Sequence, residues 1–317
     1  MSRQFPAELS AALNRLLEGV SRRELAGRSA RLSSEYRQSG SAEINDRRDL
    51  IAYAVARMPA TYAAVSQALR WTMHKLGNWQ PSSHLDLGSG PGTAIWAART
   101  HLPWLTTVVA VERHTGMMQL ARELDPSGES VTRIAADVTD HRQQLPRSDL
   151  VTAAYLLGEL DPGTLPELLD RAWAATAGTL VLVEPGTPAG AKTIGLARRW
   201  LIAAGGHPVA PCPNGLPCPM VQPSWCHFPA RLPRSRDHMH VKGAIVPFED
   251  EKFAYLAVSR IPPTPSNDGR LVGPVAISKP AALLQVCHDG EISELLIPRR
   301  ESQEFRRIRK LYWGDTV

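Results

Sequence analysis

The feature that most constrains this chain is a run of glycines between a predicted strand and a predicted helix. The apolar stretch SHLDL predicts a strand from Ser83, and TAIWAARTHLP predicts a helix from Thr93. Between them lies the turn DLGSGPG, residues 86–92. Glycines permit a tight turn and let a ligand approach the backbone, while the following helix offers free N–H groups. We therefore expect a ligand-binding turn here.

Short strands alternate with helices after this turn. Further strands are predicted in TTVVAVER, VTRIAAD, DLVTAAYLLGEL (149–160) and GTLVLVEPG, and helices in GMMQLARELD and LPELLDRAWAAT. Such alternation over about 120 residues predicts a doubly wound parallel sheet. The apolar stretch FAYLAVSRIPP (253–263) predicts a late strand of the same sheet. The expected fold class is α/β, and Rossmann-like.

The two ends of the chain have a different pattern. AELSAALNRLLEGV and the segment 47–76 show helical spacing of apolar residues, and Pro59 is expected to end or kink the first of two helices. Residues 272–300 predict short antiparallel strands, and SQEFRRIRKLYW predicts a basic helix. We expect a helical region (1–79), a sheet core (80–204), a cysteine-rich insertion (205–240), and late strands with an antiparallel extension and a basic helix (241–317).

The glycine spacing selects among nucleotide-binding folds. A dinucleotide fingerprint requires glycine where this chain has Thr93, and its third glycine comes one residue early. The D-x-G-x-G-x-G pattern instead resembles motif I of the Rossmann-like, class I S-adenosylmethionine-dependent methyltransferases. In this register Glu112 ends the second strand, where an acid accepts ribose hydroxyls, and the resemblance implies that Asp137 binds the adenine amino group. The candidate cofactor residues are Asp86, Gly88, Ser89, Gly90, Gly92, Thr93, Glu112 and Asp137.

The sequence lacks a recognisable catalytic signature. Methylation of cytosine C5 requires a nucleophilic cysteine near the fourth strand, but every cysteine lies downstream of it. Amine-methylating enzymes commonly carry an Asn/Asp-Pro-Pro-aromatic stretch at this place, where the present chain has AAYLLGEL. Glu159 is the weak candidate for a catalytic base, and a helix cap or an ion pair is its alternative role.

Three of the four cysteines lie in one proline-rich segment. Cys212, Cys218 and Cys226 have the spacing C-x5-C-x7-C, and the fourth cysteine is Cys287. This spacing differs from that of zinc fingers, but thiolates build either a zinc site or a four-iron cluster site. Without a metal the segment has little apolar surface to fold around. His227 is an alternative fourth ligand, and four unpaired structural cysteines are the remaining alternative.

Several short stretches together resemble the Rsm22-type methyltransferase-like family. They are ARMPATYAA (56–64), LDLGSGPGTA, LVEPGTPAG (182–190), CPNGLPCP, WCHF and KLYWGD. The resemblance covers nearly the whole chain. It implies a methyltransferase domain with a [4Fe–4S] site, and binding to small-subunit (16S-type) ribosomal RNA or a pre-ribosomal particle. It also implies that the cluster ligands are Cys212, Cys218, Cys226 and Cys287.

The charge distribution suits a polyanionic partner. The chain has 36 Lys and Arg against 31 Asp and Glu, a formal net charge of +5. The candidate RNA-binding cations are Arg231, Arg234, Arg236 and Lys242, and Arg306, Arg307, Arg309 and Lys310. Trp225, Tyr312 or Trp313 would stack on unpaired bases. Solvated helix faces and buried aromatic rings are the alternative interpretation.

The sequence therefore predicts an S-adenosylmethionine-binding protein that acts on small-subunit ribosomal RNA and contains a structural four-cysteine centre. In one version it methylates the RNA, and in another it is a catalytically silent assembly factor. A small-molecule methyltransferase with a zinc-stabilised lid is the third hypothesis. We expect a cytoplasmic monomer without a membrane segment, because the longest apolar runs, such as GTLVLVE, are far below the roughly 20 residues of a membrane span.

Overall fold

The computed structural model describes residues 5–39, 42–125, 130–220, 223–265 and 268–317. Its main element is a sheet of eight strands drawn from these ranges. The strands are β1 (Ser83–Leu87), β2 (Thr107–Glu112), β3 (Val131–Ala135), β4 (Ser148–Ala154), β5 (Thr176–Pro185), β6 (His207–Ala210), β7 (Phe228–Pro233) and β8 (Phe248–Ser259). Their order in the sheet is β3-β2-β1-β4-β5-β8-β6, and β7 also pairs with β8.

The sheet is mostly parallel and reverses its strand order beside β1. β1 pairs in parallel with β2 on one side and β4 on the other, and β4 pairs in parallel with β5. β8 is antiparallel to β5, as are β6 and β7 to β8. The predicted Rossmann-like α/β fold is confirmed. In such sheets ligands bind at the carboxyl ends of the strands where the order reverses.

Helices cover both faces of this sheet. Alternate residues of β5 face opposite sides, as the two-residue period of a strand requires: Leu180 and Leu182 belong to one core cluster, and Val181 and Val183 to the other. The first cluster includes α6 (Leu165–Ala175) and α7 (Pro188–Ala203), and the second includes α3 (Arg47–Leu76) and α4 (Thr93–His101). Helix α5 (Thr115–Leu124) joins β2 to β3. The sheet is therefore buried on both faces.

The N-terminal region is helical, as predicted, but it does not break at Pro59. It consists of α1 (Ala7–Leu16), α2 (Arg22–Ser39) and α3, which continues for 30 residues through Pro59. An internal proline costs a helix about 3 kcal/mol. Full burial of an apolar side chain such as Met58 or Leu69 stabilises by about 1.5–3 kcal/mol each, so packing of α3 outweighs that cost. No helix in the described ranges is long and apolar enough to cross a bilayer.

The C-terminal region forms the predicted antiparallel extension. Within the described residues it is a four-stranded sheet of β9 (Arg270–Leu271), β10 (Ala276–Ile277), β11 (Ala281–His288) and β12 (Glu291–Pro298), followed by α9 (Ser302–Ile308). Helix α8 (Arg236–Lys242) links β7 to β8. The sequence analysis did not predict β6, β7, α7 or α8. The prolines of FPARLP argue against a strand, but β7 pairs with one neighbour only, and such edge positions tolerate proline.

Candidate functional site

The glycine turn follows β1 with three residues in the left-handed region. The φ angles are 63° at Gly88, 52° at Gly90 and 83° at Gly92, which glycine adopts without the penalty of a Cβ atom. The N–H of Ser89 donates to the carbonyl oxygen of Val111 on β2 at 3.0 Å. Helix α4 begins directly after the turn, so its free N–H groups lie beside it.

The two acids predicted to bind the cofactor lie at the same edge of the sheet. Oε2 of Glu112 accepts the N–H of Gly90 at 2.8 Å, and Oε1 accepts the N–H of His114 at 2.7 Å. Asp137 follows β3, the strand next to β2, and its Oδ1 accepts the hydroxyl and N–H of Thr139 at 2.6 and 2.9 Å. These bonds hold the pKa of Asp137 below its ordinary value.

A buried chain of hydrogen bonds ends on Asp86, at the start of the turn. Nε2 of His84 lies 2.7 Å from Oγ1 of Thr152, whose hydroxyl donates to Oδ1 of Asp86 at 2.6 Å. Because the threonine proton is used, His84 must carry its proton on Nε2. Burial raises the pKa of Asp86 to about 7 and lowers the pKa of His84 to about 3. Oδ2 of Asp86 is buried and has no partner among the described residues.

The segment after β4 differs from the prediction. The strand predicted over 149–160 ends at Ala154, because Tyr155 turns the chain with a φ of 57°. Its hydroxyl donates to Oε1 of Glu251 on β8 at 2.8 Å, and Nη2 of Arg57 on α3 lies 3.5 Å from the same oxygen. A tyrosine in this conformation is strained, which is typical of functional sites. The sequence carries no signal for this cluster, since its members are far apart in the chain.

Glu184, at the end of β5, holds the same segment in place. Its carboxylate accepts the N–H groups of Leu156, Leu157 and Gly158 at 3.1, 2.8 and 3.2 Å, and burial raises its pKa to about 7. An acid at the end of a parallel strand was the signal that sequence analysis overlooked. Glu159 is the last residue of the one-turn 3-10 helix Leu157–Glu159 that follows. Loss of hydration raises its pKa to about 7 as well, but its exposed position makes screening by water stronger than at Glu184.

The four cysteines line one cavity of about 730 Å³. Cys212, Cys218 and Cys226 belong to the segment between β6 and β7, and Cys287 belongs to β11. The interaction between the two thiols lowers the pKa of Cys212 and raises the pKa of Cys287. In the described part of the chain, no three His, Cys, Asp or Glu side chains are grouped so that they could hold a metal ion. The thiols thus share a cavity wall without forming a closed metal site.

His227, the alternative ligand, does not belong to the described residues that line this cavity. Its ring packs on Trp225 and on Trp313, with centroid distances of 5.3 and 4.6 Å. The indole N–H of Trp225 donates to the carbonyl oxygen of Gly186 at 2.9 Å. Two of the three rings considered for base stacking are therefore partly buried against His227, whereas Tyr312 is 61% exposed.

The first cluster of candidate RNA-binding cations lies beside acids of β8. Arg231 pairs with Asp250 at 2.6 Å, while Arg234 at 3.3 Å and Lys242 both pair with Glu249. The fourth member, Arg236, is exposed. Most of the positive charge in this cluster is thus offset locally.

The second cluster lies on and after α9. Phe305 and Ile308 are buried against the small C-terminal sheet, which leaves the cations on the outer side of the helix. Arg307 pairs with Glu304 at 2.7 Å. The remaining members are exposed: Arg306, Arg309 and Lys310.

Comparison with protein families identifies relatives that match most of the chain. A family model described as mitochondrial small ribosomal subunit Rsm22 matches residues 47–317. The human protein described as "Ribosome assembly protein METTL17, mitochondrial" is 29% identical over 290 residues. The match covers 84% of this chain, and the chain spans 62% of the length of that relative.

Solved structures with similar folds are methyltransferases at low identity. The plantazolicin methyltransferase BpumL, in complex with SAH, is 12% identical with a TM-score of 0.44, and the match covers 76% of this chain and 98% of that one. The magnesium protoporphyrin IX methyltransferase ChlM from Synechocystis, with bound SAH, is 14% identical with a TM-score of 0.42, covering 72% and 93%.

Proposed function

Since the chain belongs to the family of the mitochondrial small ribosomal subunit protein Rsm22, we propose that it is a methyltransferase-like assembly protein of the small ribosomal subunit. The observation that carries the proposal is the family match over residues 47–317. That range contains the glycine turn, all four cysteines and the basic helix α9. The human relative is itself named as a ribosome assembly protein.

The proposed methyl donor is S-adenosylmethionine. The glycine turn lies where the strand order reverses, and open α/β sheets bind ligands at this point. The carboxylate of Glu112, held by the N–H groups of Gly90 and His114, is available as an acceptor for the ribose hydroxyls. The neighbouring Asp137 is suited to accept from the adenine amino group.

The proposed metal centre is a [4Fe–4S] cluster held by Cys212, Cys218, Cys226 and Cys287, with zinc as the alternative. The donor set fits either, because thiolates are preferred ligands of both. The fit rests on the chemistry of four thiols that line one cavity. When bound, the centre would supply folding energy by joining the cysteine segment to the C-terminal sheet.

The proposed reaction is methyl transfer to small-subunit ribosomal RNA, with Glu159 as candidate base. One observation favours the catalytically silent alternative. Tyr155, which follows β4, donates to Glu251, and Glu251 also pairs with Arg57. These polar groups therefore bind one another at the end of the sheet where a methyl acceptor would be expected. In that alternative the donor site serves assembly without chemistry. The exposed cations of α9 favour a polyanionic partner over a small molecule in both versions.

Methyl transfer is tested with labelled donor and immature small subunits. Wild type is compared with Gly90→Asp, because an aspartate there has a strained φ of 52° and repels Glu112. Gly19→Asp is the matched control, since Gly19 has a φ of 69° and equally open surroundings, but lies between α1 and α2. Label in the RNA with wild type and Gly19→Asp but not with Gly90→Asp supports the enzyme. Donor binding without transfer supports the silent assembly protein.

Subunit binding and metal content are measured separately. Co-sedimentation with small subunits that weakens as salt is raised supports the ribosomal role, and its absence at low salt contradicts it. If an iron–sulfur cluster is present, anaerobically purified protein should be brown, with a broad absorption band at about 400 nm. A colourless protein that contains zinc would contradict the iron–sulfur cluster and support the zinc site.

A further inference from the structure

Arg270, the first residue of β9, carries a charge that is buried without an acidic partner in the described part of the chain. Only 4% of the residue is exposed. Its Nε donates to the carbonyl oxygen of Pro211 at 3.1 Å, and Nη1 donates to that of Gly314 at 2.7 Å. Both acceptors are neutral, and no described Asp or Glu forms an ion pair with the guanidinium. A buried cation without a counter-charge is unfavourable, so an anion bound beside this guanidinium would be favoured.

The cavity of the four cysteines lies directly beside this cation. Arg270 is part of the cavity wall, together with all four thiols. It is the cross-strand partner of Cys287 in the β9–β11 pair, and the carbonyl that it binds immediately precedes Cys212. Ionised thiolates around a metal would supply the missing negative charge.

The same guanidinium joins three parts of the molecule. Through Pro211 it holds the cysteine segment, and through Gly314 it holds the C-terminal tail. It also lies 5.4 Å from the ring centre of Trp71 on α3, against which Gly314 packs. The backbone of the tail pairs with β9 as well, since Arg270 bridges to Thr316.

We propose that Arg270 is the internal counter-charge of the metal centre and couples occupancy of the centre to the order of the tail, residues 311–317. This inference rests on the metal centre of the proposed function. With the centre bound, the cation is balanced in place and keeps its bonds to Pro211 and Gly314. When the centre is lost, the unbalanced cation favours states in which water reaches the guanidinium, and these release the carbonyl of Gly314. Arg270 is thus a positioning residue that links the cysteines to the end of the chain.

The test compares Arg270→Gln, which removes the charge, with Arg270→Lys, which keeps the charge but loses the two-pronged donor geometry. The matched control is Arg199→Gln, because Arg199 lines the same cavity but is exposed. In Arg270→Gln we expect metal loss to a chelator to be about tenfold faster. For an iron–sulfur centre we expect a reduction potential lower by about 59 mV, the equivalent of tenfold for a one-electron couple. Arg199→Gln should match wild type in both.

Hydrogen exchange reports on the tail. Chelation of wild-type protein, and Arg270→Lys in its metal-bound form, should both raise exchange over residues 311–317 by about tenfold, without unfolding of the main sheet. Wild-type protein that loses metal without faster exchange in the tail would overturn the coupling, even if Arg270→Gln did not fold. A folded Arg270→Gln variant with wild-type metal retention would overturn the counter-charge role alone. Wild-type protein that binds no metal when purified anaerobically would overturn both this inference and the proposed metal centre.

Discussion

The backbone N–H of Gly90 donates to Oε2 of Glu112 at 2.8 Å, and this bond joins the turn after β1 to the end of β2. The second oxygen of the same carboxylate accepts the N–H of His114. Both oxygens are therefore oriented by backbone groups, and the acid is fixed beside the turn. Groups that are ordered in advance lose less entropy when a ligand binds, which favours affinity.

Replacement of Glu112 by Gln should weaken binding of S-adenosylmethionine by about 10- to 100-fold, the range expected for loss of a hydrogen bond to a charged group. Isothermal titration calorimetry measures the change. Glu123→Gln is the control, since Glu123 pairs with Arg47 at 2.7 Å on the outside of α5. Wild-type affinity in Glu112→Gln would show that the donor does not contact this carboxylate.

The pKa of Asp86, about 7 in the folded protein, gives stability a specific pH dependence. An unfolded Asp titrates near pH 4, so the folded state binds more protons between about pH 4 and 7 and this residue makes stability fall as pH rises. The pKa of His84, lowered to about 3, acts in the opposite sense, because the unfolded state binds more protons up to about pH 6.5. The two effects oppose each other in wild type.

The free energy of unfolding of Asp86→Asn, measured relative to that of wild type, should therefore increase between pH 4 and pH 7. We expect this increase to be on the order of 3 kcal/mol. Urea unfolding at a series of pH values measures the free energy of unfolding. The exposed Asp170 changed to Asn should keep the wild-type slope. Equal slopes in Asp86→Asn and wild type would show that Asp86 does not hold its proton in this range.

Local patterns predicted the glycine turn and the two acids, because strands and helices have short apolar periods and turns have characteristic residues in the sequence. They failed where distant contacts decide the backbone. Helix α3 continues through Pro59 because its neighbours are buried on several sides. The strand over 149–160 stops early because Tyr155 binds Glu251, and Glu184 holds the N–H groups that follow.

The cysteine region shows the same limit in another form. The clustering of three cysteines in one segment made the thiols candidates, the family resemblance implied Cys287 as the fourth ligand, and the structure brings all four to one cavity. Spacing gave no indication of Arg270, because its surroundings come from Pro211, Trp71 and Gly314, which are far apart in sequence. A single arginine within a short strand is indistinguishable from a surface residue until those neighbours are known.

Cys287→Ser should lose most of the bound iron or zinc, whereas His227→Gln should retain it. The reason is that Cys287 lines the cavity with the other thiols, while the ring of His227 packs between Trp225 and Trp313. Metal analysis after anaerobic purification gives the metal content of each variant. Metal loss in His227→Gln with metal retention in Cys287→Ser would show that His227, and not Cys287, is the fourth ligand.

The two groups of cations should differ in their contribution to binding of the small subunit. Arg306, Arg309 and Lys310 are exposed, so their replacement by Gln should weaken co-sedimentation and reduce the slope of log affinity against log salt by about 0.7–0.9 per lost phosphate contact.

Replacement of Arg234 and Lys242 should change this slope little, because both already pair with Glu249. It should instead lower the free energy of unfolding by about 1–3 kcal/mol, since the partly buried carboxylate loses its partners. A reduced salt slope in the Arg234 and Lys242 variants, with an unchanged slope in the α9 variants, would place the RNA-binding surface beside β8 instead.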